Sequence, residues 1–558
     1  MPRRRIGFGT GGACVCLSVA ALVLGFAGPA LATDGTWERA WGKDVVTGGG
    51  IGFEICTLAS SCQTGAVSTG LGGEFNGQQE IDTDAAGNVY VGDAGDERVQ
   101  VFDSAGNFLR AWGKDVVVGG GTGFEICTVA ANCKAGVAGA AAGELSNPID
   151  VDVDPSGNVI VSDRGNQRIQ KFDSSGNFQR MWGKDVVAGG GTGAEICTSP
   201  AFCKIGVAGS LGGELTTLRD VATDATGNVY AIEFGNTRVQ KFDSTGNFQR
   251  AWGKDVVAGG GTGFEICTTA ASCKAGAFDG ELGGELDAPG GLAIDTAGNL
   301  SVGDADHNRI QSFDLSGNFQ RAWGKDVVTG GGTGFEICTV AASCKAGAGG
   351  AALGGELGPG IQGLSTDPTG AVYVTETINQ RVQQYAASGS WLRAWGKDVV
   401  TGGGTGFEIC TVASDCKPGA AGALGGEFFT PVGVAANADG SVFVSDLNNR
   451  RIQKFAADPV PEPPPGGADT VAPDTTITAG PKKKQRKRKA TFRFTSTEPG
   501  SSFQCKLDDR AFQPCTSPKR VRVKRGKHTF SVRATDAAGN VDATPATRSW
   551  KVKKKRKR

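Results

Sequence analysis

Six tryptophans, Trp41, Trp112, Trp182, Trp252, Trp323 and Trp395, each stand immediately before Gly-Lys-Asp-Val-Val, at intervals of 71, 70, 70, 71 and 72 residues. A period of this length means that one supersecondary unit is repeated, each copy burying its apolar face against the next. Every unit has a Gly-rich half, such as Gly119-Gly120-Gly121-Thr122-Gly123-Phe124-Glu125-Ile126-Cys127, and a patterned half, such as Ile149 to Trp182. The patterned half reads as four short strands. Ile149-Val151-Val153 alternates apolar and polar, Val159-Ile160-Val161 follows the turn Asp154-Pro155-Ser156-Gly157-Asn158, and Ile169-Lys171-Phe172 follows a second turn. After Asp173-Ser174-Ser175-Gly176-Asn177, Phe178 to Trp182 is the fourth.

Four antiparallel strands repeated radially make an all-β propeller, which leaves few strand edges exposed. A helical solenoid is opposed by the period-two pattern and by 90 glycines in 558 residues. Six cores begin near Ile81, Ile149, Val221, Leu292, Gly363 and Gly433, but the sixth stops at Lys454-Phe455-Ala456-Ala457 without a fourth strand. Gly35-Thr36-Trp37-Glu38-Arg39-Ala40-Trp41-Gly42 has the sequence of that missing strand. Residues 34–42 are therefore expected to close a six-bladed ring spanning 33–458.

The repeated core resembles the NHL repeat. The resemblance rests on Asp84-Ala85-Ala86-Gly87-Asn88-Val89-Tyr90-Val91-Gly92-Asp93, on Arg98-Val99-Gln100-Val101-Phe102, and on the lead-in Gly143-Glu144-Leu145-Ser146-Asn147-Pro148. It recurs six times over about 425 residues. It implies a propeller that serves as a binding platform, a sensor or, less often, an enzyme, and fold alone does not choose among these. The chain departs from that pattern by an insertion of roughly 20 residues after each Trp-Gly. All six insertions are expected to crown the face that also carries the turns between second and third strands. A protein or glycan ligand on that face would meet Glu54, Glu125, Glu195, Glu265, Glu336 and Glu408, with Phe124, Phe264, Phe335 and Phe407; stabilisation of the fold is the competing role.

No cofactor is expected, with Ca2+ the one considered. A hard cation wants six to eight oxygens, which makes Asp93, Asp163, Asp304 and Asp446 its candidates. Pairing with Arg98, Arg168, Arg309 and Arg451 one strand later competes for the same carboxylates. A secreted Ca2+-dependent hydrolase or lyase is the alternative function, since similar lactonase-like propellers use acid and Asn sites. Propeller lyases of the peptide-amidating type hold zinc through histidines, and the propeller here has only His307. The Gly48-Gly49-Gly50 series lacks the Gly-Lys-Ser/Thr of a phosphate-binding loop, and no Ser or Cys nucleophile has a histidine partner.

Residues 1–32 read as a signal peptide: Arg3, Arg4 and Arg5, an apolar run from Ala13 to Ala27, and Ala30-Leu31-Ala32 as the cleavage site. The run is too short to span a bilayer. In an exported chain, cysteines evenly spaced in pairs imply disulfides. Six pairs share the spacing C-x5-C: Cys56 with Cys62, Cys127 with Cys133, Cys197 with Cys203, Cys267 with Cys273, Cys338 with Cys344, and Cys410 with Cys416. A seventh, Cys505 with Cys515, is C-x9-C.

Beyond a Pro-rich linker over 459–474, residues 475–552 alternate as strands. From Ser496-Thr497-Glu498-Pro499-Gly500 to Cys505, and again at Arg533-Ala534-Thr535-Asp536, they resemble the small immunoglobulin-like modules that end many exported bacterial proteins, which implies a β-sandwich. Two basic runs bracket it: Lys482, Lys483, Lys484, Arg486, Lys487, Arg488 and Lys489, then Lys553, Lys554, Lys555, Arg556, Lys557 and Arg558 over 553–558. The chain is formally neutral, yet residues 33–468 hold 29 Lys+Arg against 50 Asp+Glu and residues 469–558 hold 25 against 7. A net −21 and a net +18, with the +3 of residues 1–32, thus hide in one zero. Aromatic interleaving and groove-reading motifs are missing, so nucleic acid is not the expected partner. Anionic cell-envelope polymers are. The expectation is a monomeric binding or scaffold protein, secreted or held at the envelope.

Overall fold

The computed structural model describes residues 36–350, 353–456, 473–496, 502–508, 510–535 and 541–553. Residues 1–32, read above as a signal peptide, most of 459–474, and Lys554, Lys555, Arg556, Lys557 and Arg558 lie outside the described residues. The chain divides into two units, 1–458 and 459–558.

The first unit is a six-bladed β-propeller of six antiparallel sheets. Its second blade is typical: Pro148–Val153 on the inside, then Val159–Asp163, Arg168–Phe172 and Phe178–Lys184. Each blade carries one strand more than the four expected. In this blade Ala194–Cys197, within the stretch read as a Gly-rich loop, adds a fifth strand at the outer edge, with Trp182 opposite Ile196 and Met181 opposite Cys197. Four residues are too few to show a period of two. What holds the strand is the adjacent disulfide.

The insertion disulfides join Cys56 to Cys62, Cys127 to Cys133, Cys197 to Cys203, Cys267 to Cys273, Cys338 to Cys344 and Cys410 to Cys416. Cys505 joins Cys515 in the second unit. The pairing is the one the spacing predicts. The insertion cysteines are all buried, each pair packed on valines such as Val116 and Val117 beside Cys127 and Cys133. They staple the loop from within and offer no sulfur to a ligand on the face above.

The last blade is completed from the other end of the chain. Trp37–Lys43 pairs with Arg451–Phe455, placing Trp41 opposite Ile452 and Trp37 opposite Phe455. Trp41 is fully buried and its ring lies 6.0 Å from Phe102 of the first blade. This repeats at other junctions: Trp112 meets Phe172 at 5.7 Å and Trp395 meets Phe455 at 6.0 Å. A glycine makes room for the ring. A Cβ on Gly106, whose φ is +87°, would lie 2.8 Å from the Trp41 indole.

The insertions do sit beside the turns between second and third strands. Gly136 N–H donates to Asp96 O at 2.9 Å and Gly419 N–H to Asn379 O at 2.8 Å. They also reach sideways, since Gly72 N–H donates to Ala130 O and Gly425 N–H to Ala59 O, both at 3.0 Å and each in the next disulfide loop. The disulfide loops thus form a girdle that ties neighbouring blades.

The second unit is a sandwich. Thr475–Ala479, Lys489–Ser496 and Lys519–Arg522 form one sheet. Lys484–Gln485, Ala546–Val552, Gly526–Thr535, Ser502–Leu507 and Gln513–Cys515 form the other. Phe492, Phe530 and Trp550 fill the space between, with Phe492 stacked on Phe530 at 4.0 Å.

Because Trp41 does for the last junction what Trp252 does within the chain, Trp41→Ala and Trp252→Ala should each destabilise the propeller by about 3–5 kcal/mol. Chemical denaturation measures both. A neutral Trp41→Ala beside a costly Trp252→Ala would contradict closure by the N-terminal strand.

Candidate functional site

Most residues singled out by repetition hold the blades together. Asp93, Asp163, Asp304 and Asp446 are fully buried, as are Glu233 and Glu376 in the other two blades. Each accepts from the Arg Nε five residues on, at 2.5–3.1 Å. A glutamine two residues further completes the arrangement. Gln170 Nε2 donates to Asp163 at 2.9 Å while its Oε1 accepts from Gly143 N–H. Arg168 spends its remaining donors on the carbonyls of Ala140, Ala141, Glu144 and Lys204. These four former Ca2+ candidates are therefore occupied by a guanidinium, an amide and backbone N–H groups, and are not free for a cation. Among the described residues no group of three His, Cys, Asp or Glu side chains is placed to hold a metal ion.

The insertion carboxylates are engaged as well. Glu125 accepts from Val117 N–H at 2.9 Å and from Gly121 N–H, fastening its own Gly-rich turn. Glu54, Glu195, Glu265, Glu336 and Glu408 do the same in their loops. Phe124 packs on Phe172 of the next blade at 6.2 Å. Phe264, Phe335 and Phe407 pack likewise on Phe313, Tyr385 and Phe455.

The positions that break the repeat lie at the axis. Along the inner strands, one position reads Glu80, Asp150 and Asp220 in the first three blades and Gly291, Gly363 and Gly433 in the others. Two residues on, it reads Asp82 and Asp152, then Ala222, Ala293, Ser365 and Ala435. The inner strands ring a cavity of about 270 Å³ lined by all five of these carboxyls. Exposed Ala85, Thr296, Pro368 and Ala438, in turns between first and second strands, mark its mouth, on the face away from the insertions. Aligning the six copies of the sequence exposes this arrangement, whereas attending to the positions that recur passes over it.

Inner strands leave one edge without a sheet partner, and three of the carboxylates cap it. Asp82 accepts from Val153 N–H at 2.8 Å, Asp150 from Val221 N–H at 2.6 Å and Asp220 from Leu292 N–H at 2.8 Å. Asp150 and Asp220 act on each other in opposite senses, Asp150 raising Asp220 and Asp220 holding Asp150 down. Burial pushes Asp82 up to about 7 and Asp150 to about 6. Glu80, Asp152 and Asp220 are driven well above the usual carboxylate range, first by burial and then by neighbouring carboxylates, Asp150 beside Glu80 and Asp220, and Asp82 beside Asp152. Arg219 acts in the opposite sense on Glu80.

In the sandwich, the outer face of the three-stranded sheet is basic. Lys489, Arg493, Arg520 and Arg522 are exposed there, interspersed with Thr491 and Thr495. Lys489 stands directly opposite Arg522. The first basic run, Lys482, Lys483, Lys484, Arg486, Lys487, Arg488 and Lys489, is also exposed, as is Lys553.

The NHL-repeat family model matches residues 145–172 and 430–455, which lie in the second and sixth blades. A search of curated proteins finds no match. Among solved structures, virginiamycin B lyase from Staphylococcus aureus is similar at 10% identity over 69% of this chain and 97% of that one, with a TM-score of 0.32. An auxiliary nutrient-binding protein from Bacteroides thetaiotaomicron is similar at 11% over 68% and 69%, TM-score 0.35. A gluconolactonase of Xanthomonas campestris is similar at 11% over 77% and 98%, TM-score 0.32. Binding proteins and enzymes thus stand side by side, and likeness this distant argues for no activity.

The axial carboxyls bind protons more tightly folded than unfolded. Their contribution to stability is therefore complete below about pH 4, the unfolded range, and is lost as pH rises through the folded values near 6 and 7 for Asp150 and Asp82. The melting temperature should fall between pH 5 and 8. Asp82→Asn and Asp152→Asn should flatten the fall, with a gain on the order of 1–3 kcal/mol at the alkaline end. Variants that track the native pH profile would show that these groups ionise without cost. Recurrent core motifs, buried Arg–carboxylate pairs and closed ring together make this a chain with NHL repeats folded as a β-propeller.

Proposed function

We propose that this is an exported binding protein whose propeller is the platform and whose C-terminal sandwich contacts anionic polymers of the cell envelope. The observation that carries the reading is the Lys489–Arg522 pair, set in a basic sheet face. Like charges directly opposite in a sheet destabilise it, and among the described residues no ion pair relieves Lys489, Arg493, Arg520 or Arg522. A polyanion supplies the missing counter-charge. Threonine hydroxyls between the cations suit phosphate or carboxylate oxygens.

The disulfides of both units fit an oxidising compartment. No helix among the described residues is long and apolar enough to cross a membrane, so retention at the envelope would rest on this basic face and on the runs beside it. The insertion face, which the sequence offers to a protein or glycan ligand, has its Glu and Phe side chains committed to the fold. The axis is left for the platform's own ligand.

The mature chain should bind envelope fractions and immobilised polyphosphate at low salt and release them as salt rises. Arg520→Glu with Arg522→Glu should abolish retention while slightly raising the melting temperature, because Lys489 then gains a partner. Undiminished retention of that variant would remove the sandwich face from the account.

A further inference from the structure

We propose that the axial cavity is a binding site for a small organic cation carrying one or two ammonium groups, entered from the face opposite the insertions. This goes beyond the envelope reading and does not depend on it.

Edge capping alone does not explain the carboxylates. In the fifth blade Ser365 Oγ accepts from Ala436 N–H at 2.9 Å, doing with a neutral hydroxyl what Asp82, Asp150 and Asp220 do elsewhere. Five acids gathered in one cavity cost desolvation and mutual repulsion, and the repeat offered glycine, alanine or serine at each position. Asp152 is the sharpest case. Its Oδ2 is buried in the cavity wall without a hydrogen-bond partner among the described residues. A buried acceptor left open in this way is costly unless a donor arrives.

The charge around the cavity is one-sided. Facing Glu80, Asp82, Asp150, Asp152 and Asp220 there is one cationic side chain among the described residues, Arg219, and Asp84 and Asp367 add acid toward the mouth. The remaining wall decides what kind of cation fits. A hard metal ion wants oxygens on all sides, whereas every blade adds an aliphatic side chain to the lining, Ile81, Val151, Val221, Leu292, Leu364 and Val434, and blades four to six bring no carboxyl at the acidic positions. A cavity of about 270 Å³, acidic on one side and ringed by aliphatic side chains, suits an alkylammonium, its nitrogen at the acids and its carbons against the aliphatics. Bound, such a ligand would donate to Asp152 Oδ2 and share the charge of Asp82.

Calorimetric titration of the mature chain tests this with 1,4-diaminobutane, n-butylamine, 1-butanol and Ca2+. Both amines should bind saturably at one site and raise the melting temperature, and butanol should not bind. Affinity should drop between about pH 7.5 and pH 5 as the carboxyls take up protons. Asp152→Asn and Glu80→Gln each replace a half-buried acid by its neutral isostere, so both should fold and bind the diamine at least about tenfold more weakly. Asp415→Asn, at an exposed acid of a disulfide loop, should bind as the native chain does. Three results would overturn the proposal: no saturable amine binding, equal binding by both axial variants, or Ca2+ displacing the amine and binding more tightly.

Discussion

The guanidinium buried in each blade is the interaction on which the rest of the propeller depends. Arg98 and its five counterparts have no exposed surface, and a charge so placed is tolerable only if every donor is met. In the first blade Arg98 meets Asp93 on the neighbouring strand, Leu71 and Glu74 of the segment arriving from the previous insertion, and Lys134 of its own insertion. Two stretches that form no ladder with this strand, the arriving segment and the blade's own insertion, are thereby pinned to it. The ring then follows from repetition, with tryptophan against the next blade's aromatic and each disulfide loop bonded to its neighbour's lead-in.

This design leaves little freedom on the insertion face. Glutamates fasten the Gly-rich turns, phenylalanines wedge the blade junctions, and the recurrent buried acids are locked to arginine. Chemistry that differs from blade to blade has to arise where the repeat does not dictate the residue. The inner strands are such a place, because their side chains near the axis meet a cavity rather than a close-packed neighbour. Three blades became acidic there and three remained small and apolar. Symmetry stabilises this molecule, and its interruption marks the site.

Much of the fold was legible in the sequence because its signals are redundant. Trp41 to Trp395 set the period, the truncated sixth core with the Trp37–Gly42 stretch revealed the closure, and the cysteine spacing paired correctly, from Cys56 with Cys62 through Cys410 with Cys416. The fifth strand was not legible, since Phe124-Glu125-Ile126-Cys127 is too short for a periodicity and is flanked by glycines. Gln100 and its equivalents gave no local hint of joining the Arg–carboxylate pair, because the backbone N–H and carbonyl that hold them there arrive with the preceding insertion. The axial acids were hidden differently. Glu80, Asp150 and Asp220 look like ordinary polar positions in an alternating strand, and only the ring brings them within reach of one another. Recurrence directed attention to Asp93 and Glu54, where it signals structure.

Repeated residues build the ring, and residues that break the repeat build its site. The sharpest test is a crystal structure of residues 33–558 grown with 1,4-diaminobutane near neutral pH. One diamine should lie in the axial cavity, an ammonium nitrogen within hydrogen-bonding distance of Asp152 Oδ2 and its carbons against the aliphatic side chains of the inner strands. A diamine bound on the insertion face with the axis holding only water would contradict it.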